Sequence, residues 1–150
     1  MKSRLYIIIL LFFYLYNTAC NTGSSEYLSF DLSTANHMEV DSLGPYEYRV
    51  ITKGGDPFIS LKGLNNSLGK DQTVLTFEYQ ASEGVNFLEV FFLSKATGSF
   101  GGNVAGIQKC TGMPATEEMT VYSVDLSESI ENFKWNFETD VLRLDFGDRS

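Results

Sequence analysis

The chain has 150 residues, 43% hydrophobic and 20% charged, which suffices for one domain with its own core. Its 11 Lys and Arg against 19 Asp and Glu give a formal net charge of -8. No basic surface is therefore expected to neutralise phosphates, which excludes nucleic-acid binding. One His and two Cys exclude a His/Cys zinc site and leave His37 alone for a histidine-dependent triad.

Residues 1–19 predict a lipoprotein signal peptide. The uncharged run 5–16 follows a short cationic start and is shorter than the ~20 residues that a membrane-spanning helix needs. The junction of Ala19 and Cys20 resembles the lipobox of bacterial lipoproteins, with Asn17 where that motif usually has Leu. The resemblance implies cleavage before Cys20 and acylation (palmitate) of Cys20. The alternative is an ordinary signal peptide followed by an unmodified Cys.

Acylation of Cys20 predicts a cell-envelope protein held on the membrane by lipid. Asn21 after the Cys favours the outer membrane, with the periplasmic or surface face left open. Residues 20–26 are small and polar and predict a tether, and 27–150 predict a single domain. Because a lipidated Cys20 cannot form a disulfide, Cys110 is interpreted as a buried apolar residue.

Alternating apolar and polar residues predict an all-β chain, and no helical periodicity persists for three turns. The clearest strand is 73–81, in which every second residue from Leu75 to Ala81 is expected to face the core. Seven or eight strands in one domain predict an antiparallel β-sandwich or jelly roll. The other predicted strands are 27–32, 46–53, 58–61, 86–93, 104–109, 120–126 and 140–146.

Two turn clusters predict hairpins between consecutive strands. One is Gly54 to Pro57, which separates 46–53 from 58–61, and the other is Ser82 to Gly84. The segment 94–112 carries five glycines and is expected to be a long loop with a weak or edge strand.

Several of these segments together resemble galactose-binding-like jelly-roll domains, as in carbohydrate-binding modules and the front part of Bacteroidetes glycan-degrading lipoproteins. The segments are Tyr48 to Ile59, Val74 to Tyr79, Val90 to Phe92 and Leu142 to Gly147. The resemblance covers about residues 27–148. It implies a non-catalytic sandwich that binds sugar or packs beside a carbohydrate-active domain, for example in an outer-membrane glycan-utilisation complex.

Domains of this type usually continue into one more strand after the segment that matches 142–147. The chain has three further residues, 148–150. The resemblance therefore implies one of two things: the sandwich lacks its last strand, or the sequence is the truncated front domain of a longer lipoprotein enzyme. A missing strand would leave an open sheet edge.

Sugar sites combine aromatic faces with paired hydrogen-bonding groups, which selects five ligand-binding candidates. Trp135 is the sole Trp and precedes the last strand, with a structural role as the alternative. Phe100 and Asn103 lie in the Gly-rich segment, which flexibility explains equally well. Arg143 and Asp145 share the face opposite the core-facing leucines, where an ion pair with a neighbouring carboxylate is the alternative. Tyr46 and Tyr48 are interpreted as core residues.

No catalytic constellation is visible, so the chain is predicted not to be an enzyme. No metal site or cofactor is predicted. A structural calcium ion on Asp31, Asp56 or Asp145 is an open alternative. It is not predicted, because the sequence has no spaced Asp-x-Asp-x-Asp loop. The leading hypothesis is a membrane-anchored, non-catalytic, carbohydrate-binding-like domain. The alternative is a structural or protein-interaction module, or the truncated N-terminal domain of a glycoside hydrolase lipoprotein.

Overall fold

The computed structural model describes residues 6–10, 27–62, 74–93, 106–126 and 141–147, with the backbone alone for 6–10, 93 and 106–111. These residues form ten β-strands and include no α-helix, which confirms the all-β prediction. The strands are β1 (Tyr6–Leu10), β2 (Ser29–Asn36), β3 (Met38–Ser42), β4 (Glu47–Thr52), β5 (Phe58–Lys62), β6 (Val74–Ala81), β7 (Val85–Leu93), β8 (Gly106–Met113), β9 (Thr116–Asp125) and β10 (Val141–Gly147).

The strands form two five-stranded antiparallel sheets that make a sandwich. Sheet 1 has the order β3-β4-β1-β6-β9, and sheet 2 has the order β2-β5-β10-β7-β8. The last strand, β10, therefore lies in the middle of sheet 2, paired with β5 on one side and β7 on the other. β8 lies at an edge of its sheet, as the glycine-rich sequence predicts.

The core lies between the sheets and is built from alternate positions of their strands. The predicted inward set of β6 is confirmed, since Leu75, Phe77, Tyr79 and Ala81 are all buried. Tyr48 links the sheets, because its ring packs 4.6 Å from that of Phe30 and its hydroxyl accepts a hydrogen bond from the Phe30 backbone N–H. The inward residues of β10, Leu142, Leu144 and Phe146, are also buried as predicted.

Both predicted hairpins are wrong, because the strands that flank each turn belong to different sheets. β4 lies in sheet 1 and β5 in sheet 2, and the same holds for β6 and β7. The turn signals correctly mark chain reversals, but each reversal crosses between the layers. Among the described strands, β3–β4 and β7–β8 are the consecutive pairs that hydrogen-bond to each other.

The crossing from β4 to β5 is held by His37, the residue between β2 and β3. Its carbonyl accepts the Lys53 N–H at 2.8 Å, and its Nδ1 accepts the Asp56 N–H at 3.1 Å. Gly54 and Gly55 both have a φ of +81°, a left-handed conformation that glycine adopts without strain. The exposed His37 thus has a structural role in this turn.

We expect the two turn glycines to differ in their tolerance of alanine. A Cβ at Gly54 meets nothing within 4 Å, so Gly54→Ala should cost only the left-handed strain, about 1 kcal/mol. A Cβ at Gly55 would lie 2.2 Å from His37 Nδ1 and displace the ring from Asp56. Gly55→Ala should therefore cost about 2 kcal/mol or more. Urea unfolding measures both values, and equal losses would contradict this account of the turn.

One predicted inward residue, Leu32, is exposed. The pairing of β2 with β5 is irregular between Asp31 and Asn36. Asp31 Oδ1 accepts hydrogen bonds from both the hydroxyl and the backbone N–H of Ser33. This local turn-like bonding competes with the ladder and ends the simple alternation after Phe30.

The strand β1 lies within the predicted signal peptide and occupies the centre of sheet 1. It pairs antiparallel with β4 on one side and with β6 on the other. With β1 in place, sheet 1 is continuous from β3 to β9. In the part of the chain that the structure describes, no helix is both long and apolar enough to cross a membrane.

Candidate functional site

The outer faces of the two sheets differ in chemistry. On sheet 1, the two acidic residues of β3, Glu39 and Asp41, form ion pairs with basic residues in or just after β4. Arg49 donates from Nε to Asp41 at 3.0 Å, and Lys53, just after β4, pairs with Glu39. Exposed pairs of this kind keep the face hydrated and contribute little to stability.

The outer face of sheet 2 carries aromatic residues instead. Phe58 on β5 and Phe87 and Phe91 on β7 occupy outward positions and are half-buried. They alternate with core residues along their strands, so the pleat places them on the solvent side of the sheet. Aromatic side chains gathered on an outer face are a common mark of a binding surface.

Arg143 and Asp145 lie at the centre of this face, on the middle strand β10. The Arg143 guanidinium donates from Nε to Asp145 Oδ1 at 2.7 Å and from Nη2 to Oδ2 at 2.6 Å. The pairing is bidentate and runs between residues two apart on one strand, rather than across strands. Their side chains are 16% and 10% exposed.

Two aromatic rings hold this ion pair from the neighbouring strands. The Arg143 guanidinium carbon lies 4.3 Å from the ring centre of Phe58 and 4.6 Å from that of Phe91. Both distances permit cation–π attraction. We call Phe58, Phe91, Arg143 and Asp145 the arginine cluster.

Burial changes the acidity of the cluster's carboxyl group. Desolvation raises the pKa of Asp145 to about 6, against the stabilising effect of its hydrogen bonds and charge attraction with Arg143. Negative charge on Asp56 and Glu89 adds to the increase in this pKa. Glu89 is the cross-strand neighbour of Asp145 on β7. The cluster therefore combines one cation with three nearby acids.

At the end of β10, Gly147 lies directly opposite Phe87, whose ring covers the glycine backbone. A Cβ on Gly147 would fall 1.7 Å from Phe87 Cζ, so the ring occupies the space that any side chain would need. An aromatic ring over a cross-strand glycine shields the exposed backbone. This contact extends the aromatic surface from the arginine cluster to the end of β10.

A second aromatic contact lies outside this face. Tyr27, just before β2, stacks on Tyr46, just before β4, with ring centres 5.1 Å apart. Both rings are exposed, and Leu43 is exposed as well. The prediction that Tyr46 is a core residue is therefore wrong, whereas Tyr48 is confirmed in the core. The start of β4 at Glu47 sets the alternation that buries Tyr48 and leaves Tyr46 in the preceding loop.

Of the five predicted ligand residues, the structure brings together Arg143 and Asp145. Trp135, Phe100 and Asn103 lie outside the described residues, as does the predicted lipidation site Cys20. Cys110 belongs to the part of β8 for which the backbone alone is described.

The sequence reading missed Phe58 and Phe91 as partners of Arg143. Their outward position could be inferred from alternation with buried neighbours. Their contact with Arg143 depends on the order of β5, β10 and β7 in the sheet.

Among the described residues, no group of three or more His, Cys, Asp or Glu side chains is arranged to hold a metal ion. Asp31 bonds to Ser33, which lowers the pKa of its carboxyl group, and Asp145 bonds to Arg143. No protein-family model, curated protein or solved structure matches the chain.

Proposed function

We propose that the protein is a membrane-anchored, non-catalytic domain that binds glycan on the outer face of sheet 2. The observation that carries this proposal is the arginine cluster, in which Phe58 and Phe91 flank the Arg143–Asp145 pair. Aromatic rings beside fixed hydrogen-bond donors and acceptors are the combination of groups that sugar-binding sites use. The galactose-binding-like resemblance points to the same class of ligand.

Rigidity supports binding at this place. The bidentate pair and the two flanking rings fix the position of the Arg143 head group before a ligand arrives. Because the long Arg side chain is already ordered, a ligand that uses it loses less conformational entropy on binding. The site lies on three adjacent strands in the body of the sheet rather than on a loop.

In this proposal the membrane anchor is acylated Cys20, which would hold the domain on the outer membrane after removal of residues 1–19. The seven residues 20–26 would then link the lipid to the domain. Intact-mass analysis of protein isolated from the envelope tests this part alone, since a lipoprotein starts at Cys20 and carries the mass of its acyl chains.

A second candidate function is a protein-interaction module. The specific observation in its favour is the edge strand β9, where Met119 and Val121 are exposed, Val121 to 60%. An edge strand with exposed apolar side chains offers a surface for another protein.

Glycan binding is tested by substitution of matched arginines on the two sheets. Arg143→Lys keeps the charge but loses the bidentate, planar contact, so we expect at least a tenfold loss of affinity for any polysaccharide that binds the parent protein. Arg49→Lys on the outer face of sheet 1 should leave that affinity unchanged. Titration against soluble plant and host polysaccharides, followed by thermal shift, provides the measurement.

Two outcomes would overturn the proposal. One is that no polysaccharide in the panel shifts the unfolding midpoint of the parent protein. The other is that Arg143→Lys and Arg49→Lys affect binding equally, since a site on sheet 2 requires them to differ.

A further inference from the structure

The central position of sheet 1 is filled by a segment that the sequence predicts to be cut off. β1 lies between β4 and β6 and runs antiparallel to both. Removal of residues 1–19 would leave a gap one strand wide in the middle of the sheet. We call this gap, bounded by Glu47–Thr52 and Val74–Ala81, the strand slot.

The inner side of the strand slot requires apolar residues. The register places Ile7 and Ile9 opposite four buried residues of the flanking strands. Each of the four is at most 4% exposed while the slot is filled. An empty slot would open this part of the core to water and leave unpaired N–H and C=O groups on two strands. The four residues are Tyr48, Val50, Tyr79 and Ala81.

The outer side of the slot has a charge pattern that the leader does not match. Leu10 lies directly between Glu47 on β4 and Glu78 on β6. Cross-strand neighbours lie about 5 Å apart at Cβ, and opposite charges at such positions attract. A Lys or Arg at this position would carry a positive charge between two acidic residues, whereas Leu is uncharged.

The next outward position shows the same mismatch. Ile8 lies between Arg49 and Gln80, both polar. The leader thus has aliphatic residues at both inner positions, and two of its three outer positions lie beside polar or charged residues. The third outer residue, Tyr6, lies opposite the apolar Ile51. A strand suited to both sides would alternate, with aliphatic residues inward, a polar or acidic residue beside Arg49 and a basic residue between the two glutamates.

We propose that the mature chain accepts, in the strand slot, an extended strand from a partner protein of the cell envelope. The strand runs antiparallel to β4 and β6, places aliphatic side chains toward the core and places Lys or Arg between Glu47 and Glu78. This proposal rests on leader removal at Cys20, which is part of the proposed function. Strand addition of this kind combines backbone pairing for affinity with alternate side chains for specificity.

The start of the mature chain is a poor substitute for such a partner. Residues 20–26 read Cys-Asn-Thr-Gly-Ser-Ser-Glu and contain no aliphatic residue for the two inward positions. They also contain no basic residue to meet Glu47 and Glu78. Residues 20–26 therefore complement neither side of the strand slot.

The full chain, produced in the cytosol with its leader, provides the test. A protease site within residues 21–26 is cut after folding, and a labelled peptide with residues 5–11 and short Ser-Gly ends is added in excess. We expect the peptide to exchange with the bound leader. Leu10→Lys in the peptide should bind about three- to tenfold more tightly than the parent peptide, and Leu10→Glu should bind more weakly by a similar factor.

Matched peptides control for charge and solubility. Ile8→Lys adds the same charge beside Arg49 and should give no gain in affinity. Ile9→Asp, at an inward position, should abolish binding. Absence of exchange, equal binding of Leu10→Lys and Leu10→Glu, or full binding of Ile9→Asp would each overturn the proposal.

Analysis of protein isolated from the envelope identifies the natural occupant of the strand slot. The proposal expects a chain that starts at Cys20 and a second polypeptide that the Leu10→Lys peptide displaces in equal amount. A chain that retains residues 6–10, or one that starts at Cys20 and unfolds cooperatively with no second polypeptide, would overturn it.

A variant of the arginine cluster distinguishes the strand-slot proposal from the glycan-binding proposal. Arg143→Lys lies on the other sheet and should leave peptide binding unchanged. If the parent protein binds glycan but does not bind the peptide, the strand-slot proposal alone is wrong. If it binds the peptide but no glycan, the glycan proposal alone is wrong.

Discussion

Replacement of Phe77 by alanine should lower the free energy of unfolding by about 3–5 kcal/mol. Phe77 is fully buried on β6, and its ring packs 5.4 Å from that of Tyr122 and 6.4 Å from that of Tyr79, centre to centre. Truncation removes these contacts and leaves a cavity that β-strands on both sides cannot close. For a domain of this size the unfolding midpoint should fall by about 10–20 °C.

Val121→Ala is the matched control for Phe77→Ala. Val121 lies on β9, one residue before Tyr122, and is 60% exposed. Its truncation removes little buried surface and should change stability by about 0.5 kcal/mol or less. Thermal unfolding measures both variants. A Phe77→Ala midpoint equal to that of Val121→Ala would contradict the placement of β6 in the core.

The second large effect concerns pH and Asp145. Because its pKa is raised from 3.8 to about 6, the folded chain binds this proton more tightly than the unfolded chain does. Protonation therefore stabilises the fold, fully below about pH 4, and the contribution is lost as the pH rises through about 6. Since one pKa unit corresponds to about 1.4 kcal/mol, the stability that Asp145 contributes should fall by about 2 kcal/mol between pH 4 and pH 7.

Comparison with Asp145→Asn isolates this contribution, since all other carboxyl groups remain. The parent protein should lose more stability than the variant between pH 4 and pH 7 in urea titrations. The carbon resonance of the Asp145 carboxyl group should titrate with a midpoint near 6. A midpoint below 4, or parallel pH profiles for the two proteins, would show that the pairing with Arg143 outweighs the desolvation.

Local alternation was enough to predict most strands and their inward faces. The pattern of 73–81 predicted the buried set of β6, and that of 140–146 predicted the buried leucines of β10. Burial of every second residue is a local property, so a local pattern reveals it. The strand β3 was missed because Met38–Ser42 has two acids and a Ser among five residues and only two residues packed inward.

Pairing between strands could not be predicted in the same way. Both turns looked like hairpin turns, but which sheet a strand joins depends on contacts far apart along the chain. The arginine cluster shows the same limit. Arg143 and Asp145 were candidates from their spacing, while their aromatic neighbours come from strands about 50 and 85 residues away in sequence, as long-range pairing in sandwiches commonly requires.

The prediction for residues 5–16 illustrates a different limit. An apolar run after a cationic start is typical of a signal peptide, and its composition also suits a buried strand. The pattern alone does not distinguish these roles. The register adds that Ile7 and Ile9 lie opposite buried residues of β4 and β6, whereas Leu10 lies between two glutamates.

Folding of this sandwich is expected to be slow, because the chain crosses between the sheets from β4 to β5 and again from β6 to β7. Most of the described strands do not hydrogen-bond to the next strand in the chain, so their pairing requires contacts between residues far apart in sequence. Such topologies fold on the millisecond-to-second scale rather than in microseconds. If the proposed leader directs export, we expect this delay to favour passage across the membrane, because translocation requires an unfolded chain.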